Sequence, residues 1–484
     1  MEKLFDVPIK QKTMYLRGNT DSLLSTDTYF GCFPCDAYAE NTSIETVRAC
    51  VKVSGKGMVE LHHADANGER ILSSVEFDCP DSTVISIPSG VPSEGYLYLK
   101  ISGSFEVSDI WYEGEGTEKN IRIAIIICTF RREEYLLKNL EKLSRTIESD
   151  LDLRTCIDIF CVDNGGTLSK VPAGVTLIQN RNYGGSGGYA RGMLEARKSG
   201  RYTHFWMMDD DIRFEPVILR RAVTFMQHRR QEDIRLAAGM LSFEAPSMQV
   251  EATAVFNGYT FTSNASGLDF QTRDSLLKIK IDANDYTYGG WWSFIMPATE
   301  DLPMPFFIKM DDIEYGIRNG GKYVIMNGFG VWHEAFGKKG SAWPEYYTTR
   351  NTLIVQNMYP ELPHSALKMM GIRLLKALAF GEPKCMEAAF RGVQDYLAGA
   401  AAFRRVNPEE RHMKLLSDLK APVVSGMTRK KMLKAALKNM RKPGSWRSVG
   451  LFLKSVRMLR KQQADGGWKE LCTEEFWREY LGLE

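Results

Sequence analysis

Ile123-Ala124-Ile125-Ile126-Ile127-Cys128-Thr129-Phe130-Arg131-Arg132 is an uninterrupted apolar run that ends abruptly in polar residues, and Leu136, Leu137, Leu140 and Leu143 follow it at helical spacing. An apolar run without alternation fits a strand buried on both faces, and the helix after it fits the crossover that a parallel sheet needs. Further runs at 157–162, 175–178 and 204–208 continue the pattern. Residues 119–358 therefore read as an α/β domain, with the ligand site expected where the carboxyl ends of its strands meet.

On the amino-terminal side the rhythm differs. Residues 1–118 alternate apolar and polar positions, as in Tyr96-Leu97-Tyr98-Leu99-Lys100-Ile101, between Gly, Pro, Asn and Ser clusters. That pattern predicts an all-β, jelly-roll-like sandwich. Residues 359–484 read as helical. Their segment 429–461 holds twelve Lys/Arg and no acid, with Met432, Leu433, Ala436, Leu437 and Met440, then Leu451, Phe452, Val456 and Leu459, at helical spacing. These are basic amphipathic helices.

A chain of 484 residues exceeds what one core usually supports, and 44% hydrophobic with 25% charged residues excludes a disordered protein. The net charge of +2 hides an asymmetry: residues 1–118 carry 19 acids against 9 bases, which leaves +12 for the rest. No stretch approaches the roughly eighteen apolar residues that span a bilayer. The start Met1-Glu2-Lys3-Leu4-Phe5-Asp6 lacks a signal-peptide apolar segment, so a cytosolic location is expected. Nine cysteines, with Cys128, Cys156 and Cys161 in strand-like runs, read as reduced core residues. Cys32 and Cys35 form a C-x-x-C, but with Cys50 and Cys79 downstream the spacing fits no standard zinc module, and core packing is the reading.

The chemistry concentrates at strand ends. Trp206-Met207-Met208-Asp209-Asp210-Asp211-Ile212 runs from an apolar strand straight into three carboxylates, ahead of a helical segment opened by Pro216. Acids at a buried strand end need a compensating cation. A divalent ion bound to a nucleotide diphosphate supplies one, because Mg²⁺ or Mn²⁺ takes a few carboxylate oxygens and leaves its other positions to phosphate and water. Asp209 and Asp211 can both reach one ion while Asp210 points elsewhere; a solvated acidic loop is the alternative for the triplet alone. Thr129 and Arg131 close the first strand, and Asp163-Asn164-Gly165-Gly166 closes another. Converging on one crevice, Asp163 and Asn164 could hydrogen-bond a base or ribose, and Arg131 could meet base or phosphate.

Asn180-Arg181-Asn182-Tyr183-Gly184-Gly185-Ser186-Gly187-Gly188-Tyr189-Ala190-Arg191-Gly192 reads as a glycine-rich loop leading into a helix. Part of it matches the dinucleotide fingerprint, but it follows a later strand and precedes three acids rather than one. Its use is backbone approach to a sugar diphosphate, or simply a tight turn. In Gly289-Gly290-Trp291-Trp292 the adjacent rings should face opposite ways, one into the core and one toward a sugar. Asp311-Asp312 offers a carboxylate for general-base work on a sugar hydroxyl. His333, after an apolar strand-like segment, offers a third ligand for Mn²⁺.

In this order CTFRR (128–132), VDNGG (162–166), NRNYGGSGGYARG (180–192), MDDDI (208–212), GGWW (289–292), KMDDIEYG (309–316), WHE (332–334) and YYTTRN (346–351) resemble bacterial family 2 glycosyltransferases, and more narrowly the galactofuranosyltransferases that polymerise cell-wall galactan. The resemblance implies a GT-A catalytic domain between the β-sandwich and the helical region. It implies Mn²⁺ or Mg²⁺ held by Asp209, Asp211 and His333 against the UDP diphosphate, and Asp312 as the base of an inverting displacement. Arg131, Asn164 and Asn182 would contact the nucleotide or sugar diphosphate, with Thr129, Asp163, Gly185 and Asp210 around them. Trp291 and Trp292 would line the acceptor side beside Asp311. It further implies a UDP-galactofuranose donor, a lipid-linked glycan acceptor, a homo-oligomer, and a seat at the inner face of the bacterial cell membrane, toward which the basic helices would be drawn by anionic head groups.

Three other readings are weighed. One is a glycosyltransferase using another donor, such as dTDP-rhamnose. A nucleotidyltransferase needs a glycine-rich loop after the first strand, where Cys128-Thr129-Phe130-Arg131-Arg132-Glu133 has no glycine. A non-catalytic carbohydrate-binding protein would make the β-sandwich the working part. Nucleic acid is not an expected partner, because the basic segment lacks interleaved aromatics apart from Trp446.

Overall fold

The computed structural model describes residues 1–10, 14–19, 22–334, 340–423, 428–462 and 466–483, without the side chains of Asn19 and Arg429. At its centre lies a seven-stranded sheet. Strand Ile123–Thr129 pairs in parallel with Ile157–Asp163 on one side and His204–Asp209 on the other. Val175–Gln179 extends the sheet beyond Ile157–Asp163. Past His204–Asp209 comes Ser293–Pro297, the one antiparallel member, then Ile234–Ala237 and Lys322–Val324. Register sets Thr129 beside Asp163, and Cys128 beside Asp209. The expected strand ends therefore share one edge, on either side of the strand where chain order reverses, and a crevice opens there.

Unbroken apolar sequence is explained by cover on both faces: Ile123, Ala124, Ile125 and Ile126 are wholly buried. Leu136, Leu140 and Leu143 line the buried face of helix Glu133–Glu148. Helix Gly184–Arg197 lies so close to the first strand that a Cβ on Gly192 would sit 2.4 Å from the Ile126 side chain, and one on Gly188 2.0 Å from Cys128 Sγ.

A second sheet, of five strands, carries part of the site. Arg213–Phe214, immediately after the acidic triplet, pairs antiparallel with Gly330–His333, which runs parallel to Gly239–Ser242. This pairing, rather than closeness in sequence, brings His333 to Asp211.

Residues 1–118 are antiparallel β, as their alternation implies. The sandwich expectation is of two packed sheets, whereas hydrogen bonds join all seven strands in one. The reason is strand length: Thr46–Asp65, Gly68–Gly90 and Tyr96–Glu115 pair almost end to end through bulges, and Phe33–Pro34, Leu23–Ser25 and Glu2–Asp6 each pair with a stretch of Tyr96–Glu115. Cys32 and Cys35 are buried here, and burial raises both thiols well above their usual pKa. The sheet is pinned to the α/β body by Arg221, fully buried on helix Val217–Gln227. It donates to the carbonyls of Gly328 (2.9 Å), Phe30 (2.8 Å) and Asp6, and its guanidinium lies 3.5 Å from the Phe5 ring centre.

Helical structure begins before residue 359, with Pro344–Met358, which packs on Pro383–Leu397 where Gly392 lets the backbones approach. The last helix, Glu474–Leu481, returns to the α/β body, and the buried Trp477 donates its indole N–H to Pro303 O at 2.8 Å. On Arg429–Asn439 the apolar positions divide: Ala436 is buried, while Leu433, Leu437 and Met440 are exposed among the lysines. Among the described residues no helix is long and apolar enough to cross a membrane.

Candidate active site

Asp209, Asp211 and His333 converge at the crevice, their ligand atoms all within 4.8 Å of one another. His333 Nε2 lies 3.2 Å from Asp211 Oδ1 and 3.9 Å from Asp209 Oδ2. The other ring nitrogen, Nδ1, is 2.7 Å from the Glu334 carbonyl, which fixes it as the donor and aims Nε2 at the acids. Asp211 Oδ1 is buried, with the imidazole Nε2 as its ion-pair partner. Burial opposes charge on His333, but the Asp211 hydrogen bond and the two carboxylates outweigh it and push the imidazole up to about 9. Burial raises Asp209. Burial would raise Asp211 too, yet His333 and Arg132 hold it below the usual range. Two carboxylates and an imidazole nitrogen gathered around one point fit a divalent ion such as Mn²⁺, and Mg²⁺ less well because of its preference for oxygen.

Asp210 turns away from this point, as expected for the middle residue. It accepts from Thr129 Oγ1 at 2.7 Å and from Arg132 at 3.2 Å, and burial pushes its carboxyl up to about 6. Thr129 is therefore spent on Asp210 and is itself buried. Arg132, which also donates to Asp211, is an internal cation for the triplet. Tyr189, on the glycine-rich helix, donates to Asp209 Oδ1 at 3.2 Å.

The residues read as nucleotide contacts separate into two groups. Both Asp163 oxygens are occupied by backbone: Oδ1 accepts from Gly165 N (2.9 Å), and Oδ2 from Thr167 N (2.8 Å) and Leu168 N (2.7 Å). Asn164 donates to Gly184 O at 2.8 Å and accepts from Asn180 at 2.9 Å. These two side chains build loops rather than face an open site. Asn182 is mostly buried and accepts from Gly184 N through Oδ1 at 3.1 Å. Arg131, by contrast, is exposed at the mouth with a left-handed φ of 56°, and it lies against Gly165. The glycine-rich stretch is not a loop: Gly184 and Gly185 already belong to the helix, whose small residues serve close packing.

Asp311 and Asp312 open helix Asp311–Asn319. A Cβ on Gly185 would stand 3.5 Å from Asp311 Oδ2, so Asp311 faces the glycine-rich helix. Burial raises both carboxyls, and the Asp311 charge raises Asp312 further. The approach to this helix is strained, since Phe307, Lys309 and Met310 all have φ between 67° and 74°. Four contacts hold it: Ser186 Oγ accepts from Phe307 N (2.9 Å), Arg350 donates to Phe306 O (2.8 Å), and Asn351 donates to Ile308 O (3.0 Å) and Lys309 O (2.8 Å). Ser186, Tyr189, Arg350 and Asn351 are positioning residues that the sequence reading does not assign.

Neither tryptophan offers an open face. Trp291 is wedged edge-on between Tyr189 (4.8 Å) and Tyr315 (5.7 Å), and Trp292 donates to Ala238 O at 2.8 Å. Gly290 explains the pair, for the Trp292 ring folds back to within 2.0 Å of where its Cβ would be.

No family model matches the chain. Among solved structures, GalNAc-T7 with UDP, GalNAc and Mn²⁺ is 10% identical, covering 51% of this chain and 49% of that one, with a TM-score of 0.34. Mannosyl-3-phosphoglycerate synthase from Rubrobacter xylanophilus is 12% identical over 51% of this chain and 77% of its own, with a TM-score of 0.31. In sequence, the galactofuranosyltransferase GlfT2 of Mycobacterium tuberculosis is 28% identical over 432 residues, and that of Mycolicibacterium smegmatis is 28% identical over 425. The chain spans 66% and 64% of the length of these curated relatives. Over 79% and 78% of its own length, this chain is similar to the mycobacterial galactofuranosyltransferases.

Proposed function

We propose that this chain is an inverting, metal-dependent glycosyltransferase of GT-A fold that moves galactofuranose from UDP-galactofuranose to a growing, lipid-linked bacterial surface glycan. The observation that carries this reading is the meeting of Asp209, Asp211 and His333 at the carboxyl edge of the central sheet. Similarity to galactofuranosyltransferases supplies the sugar.

Asp209, Asp211 and His333 would hold Mn²⁺ or Mg²⁺, which when bound neutralises the charge of a departing diphosphate. Arg131 at the mouth reaches base or phosphate. Asp210, Thr129, Asp163 and Asn164 keep the strand-end loops in place around the donor, with Asn182 and Gly185 beside it. Asp312 takes the proton of the acceptor hydroxyl as that oxygen attacks the anomeric carbon, and the neighbouring Asp311 raises its affinity for the proton. One displacement inverts the configuration. Trp291, Trp292 and Tyr315 form the packed wall behind these acids. Exposed Leu437 and Trp446 among lysines suit the surface of an anionic membrane on its cytoplasmic side.

The test is to offer the purified chain Mn²⁺, a glycan acceptor and a panel of nucleotide sugars, reading nucleotide release. Release of UDP from UDP-galactofuranose is the expected result. Turnover of a dTDP-sugar alone would overturn the donor, and sugar binding without any turnover would favour the carbohydrate-binding alternative.

A further inference from the structure

Helix Val217–Gln227 runs along strand Glu2–Asp6, and every second residue of the strand meets it or the residue that caps it. Arg221 donates to Asp6 O, Thr224 Oγ1 lies 3.0 Å from Leu4 O, and His228 Nε2 lies 3.1 Å from Glu2 Oε2. Three or four helical residues advance about 5 Å and two strand residues about 6.6 Å, so the rungs stay nearly in step. The first two rungs end on strand carbonyls. The third ends on a carboxylate, and there the segment that joins the β region to the α/β body adds another. Glu2, Glu118 and His228 bring their ligand atoms within 4.8 Å of one another.

The imidazole is held firmly. His228 is 1% exposed, the Lys119 amide donates to Gln227 O at 2.7 Å, and the Ser43 amide donates to His228 O at 2.8 Å. A Cβ on Gly116 would stand 3.1 Å from His228 Nδ1, so the joining segment lies against the ring. Nδ1 is buried without a hydrogen-bond partner, and Nε2 is the nitrogen turned to the acids. Among the described residues no Lys or Arg pairs with Glu2 or Glu118, and the adjacent Lys119 is taken by Glu232 at 2.8 Å. Two carboxylates therefore meet a fixed imidazole with no permanent cation between them. Glu118 is exposed and Glu2 half-buried, which leaves an ion a way in and room for water.

We propose that Glu2, Glu118 and His228 form a second divalent-metal site, suited to Zn²⁺, which staples the first strand of the β region and the joining segment to the α/β body. One imidazole nitrogen and two carboxylate oxygens, with water completing the set, match Zn²⁺ better than the oxygen-seeking Mg²⁺. The site is separate from the acidic triplet. Glu118 precedes strand Ile123–Thr129, whose far end opens on the crevice, and a strand of that length spans roughly 20 Å.

The test uses the full chain carrying His333→Ala and Asp211→Asn, so that the triplet does not report. Calorimetry should show one Zn²⁺ bound per chain with a Kd below about 10 µM, and Mg²⁺ should bind at least about ten-fold more weakly. Adding Glu2→Gln or Glu118→Gln should weaken Zn²⁺ about ten-fold or more. Melting tells a metal ligand from a structural contact: Zn²⁺ should raise Tm above its value in EDTA, and this increment should shrink in either Gln variant whatever that variant's Tm in EDTA. Absence of micromolar Zn²⁺ binding, equal affinity for Mg²⁺, or a Zn²⁺ affinity or Tm increment unchanged by either substitution overturns the proposal.

Discussion

His333 Nε2 faces Asp211 Oδ1 at 3.2 Å because the strand that follows the acidic triplet pairs with the strand that ends in His333. Remove the imidazole, and two half-buried carboxylates remain near each other with Arg132 as their compensating charge. His333→Ala and Asp211→Asn should each weaken Mn²⁺ binding, and with it metal-dependent UDP binding, by more than about ten-fold in calorimetry. Circular dichroism should report an intact fold, since His333 ends a strand at the crevice. Unaltered Mn²⁺ affinity in both variants would put the ion somewhere else.

Asp312 should be the residue whose loss stops chemistry without stopping binding. Asp312→Asn keeps the helix N-terminus but cannot accept a proton, and transfer should fall by about two to four orders of magnitude with UDP affinity retained. The acid limb of the pH profile carries a second expectation. A base acts only when deprotonated, so activity should rise with pH as the Asp311–Asp312 pair loses its proton, and that limb should lie above the ordinary carboxylate range. Asp311→Asn removes a negative neighbour, which lowers the Asp312 pKa and should move the limb to lower pH. A limb that stays in place means that Asp312 is not the group being titrated.

The central strands were legible because nothing alternates in Ile123-Ala124-Ile125-Ile126-Ile127 or Trp206-Met207-Met208, and unbroken apolar sequence has few uses besides a doubly covered strand. Short antiparallel pieces such as Ser293–Pro297 and Gly330–His333 were not, since their partners are distant in sequence. At the site, Asp209, Asp211 and His333 could be expected to meet, from the chemistry of the triplet together with the resemblance, and their side chains do lie within 4.8 Å of one another. Asp163 and Asn164 could not be placed correctly, because a polar side chain at a strand end has two customers, a ligand or the amides of its own turn, and the same residue types serve both. Glycines misled similarly. Gly188 and Gly192 are small because Cys128 and Ile126 lie beneath them. Asn351 and Arg350 left no signal as positioning residues, for their partners are carbonyls, which every residue has.

Asn351 offers a test of that positioning role. Its side chain is fully buried, and its amide holds Ile308 O and Lys309 O in a segment whose left-handed residues would otherwise relax. Asn351→Ala leaves both carbonyls unpaired, which should cost about 2 kcal/mol of stability, seen as a lower Tm. The more telling readout is kinetic. With Asp312 no longer fixed, kcat should drop at least about ten-fold while the donor KM changes little, because the Asp209–His333 end of the site is untouched. A variant with lower Tm and full kcat would reduce Asn351 to a purely structural residue.

Gly184 and Gly200 make a matched pair for the claim that the glycine-rich helix is held against the segment leading to Asp311 and Asp312. Both have left-handed backbone, with φ of 71° and 63°. A Cβ at Gly200 would meet nothing within 4 Å, so Gly200→Ala bears only the conformational penalty of about 1 to 2 kcal/mol. At Gly184 the same atom would lie 2.0 Å from Phe307 O and 2.6 Å from its carbonyl carbon, both backbone atoms that cannot rotate away. Gly184→Ala adds overpacking to the same penalty and should cost more than about 3 kcal/mol. Because the displaced group is Phe307, the Gly184 variant should also lose transfer activity out of proportion to the fraction unfolded, measured by nucleotide release well below its Tm. Equal stability losses in the two variants would show that the contact between Gly184 and Phe307 is not what keeps Asp311 and Asp312 in place.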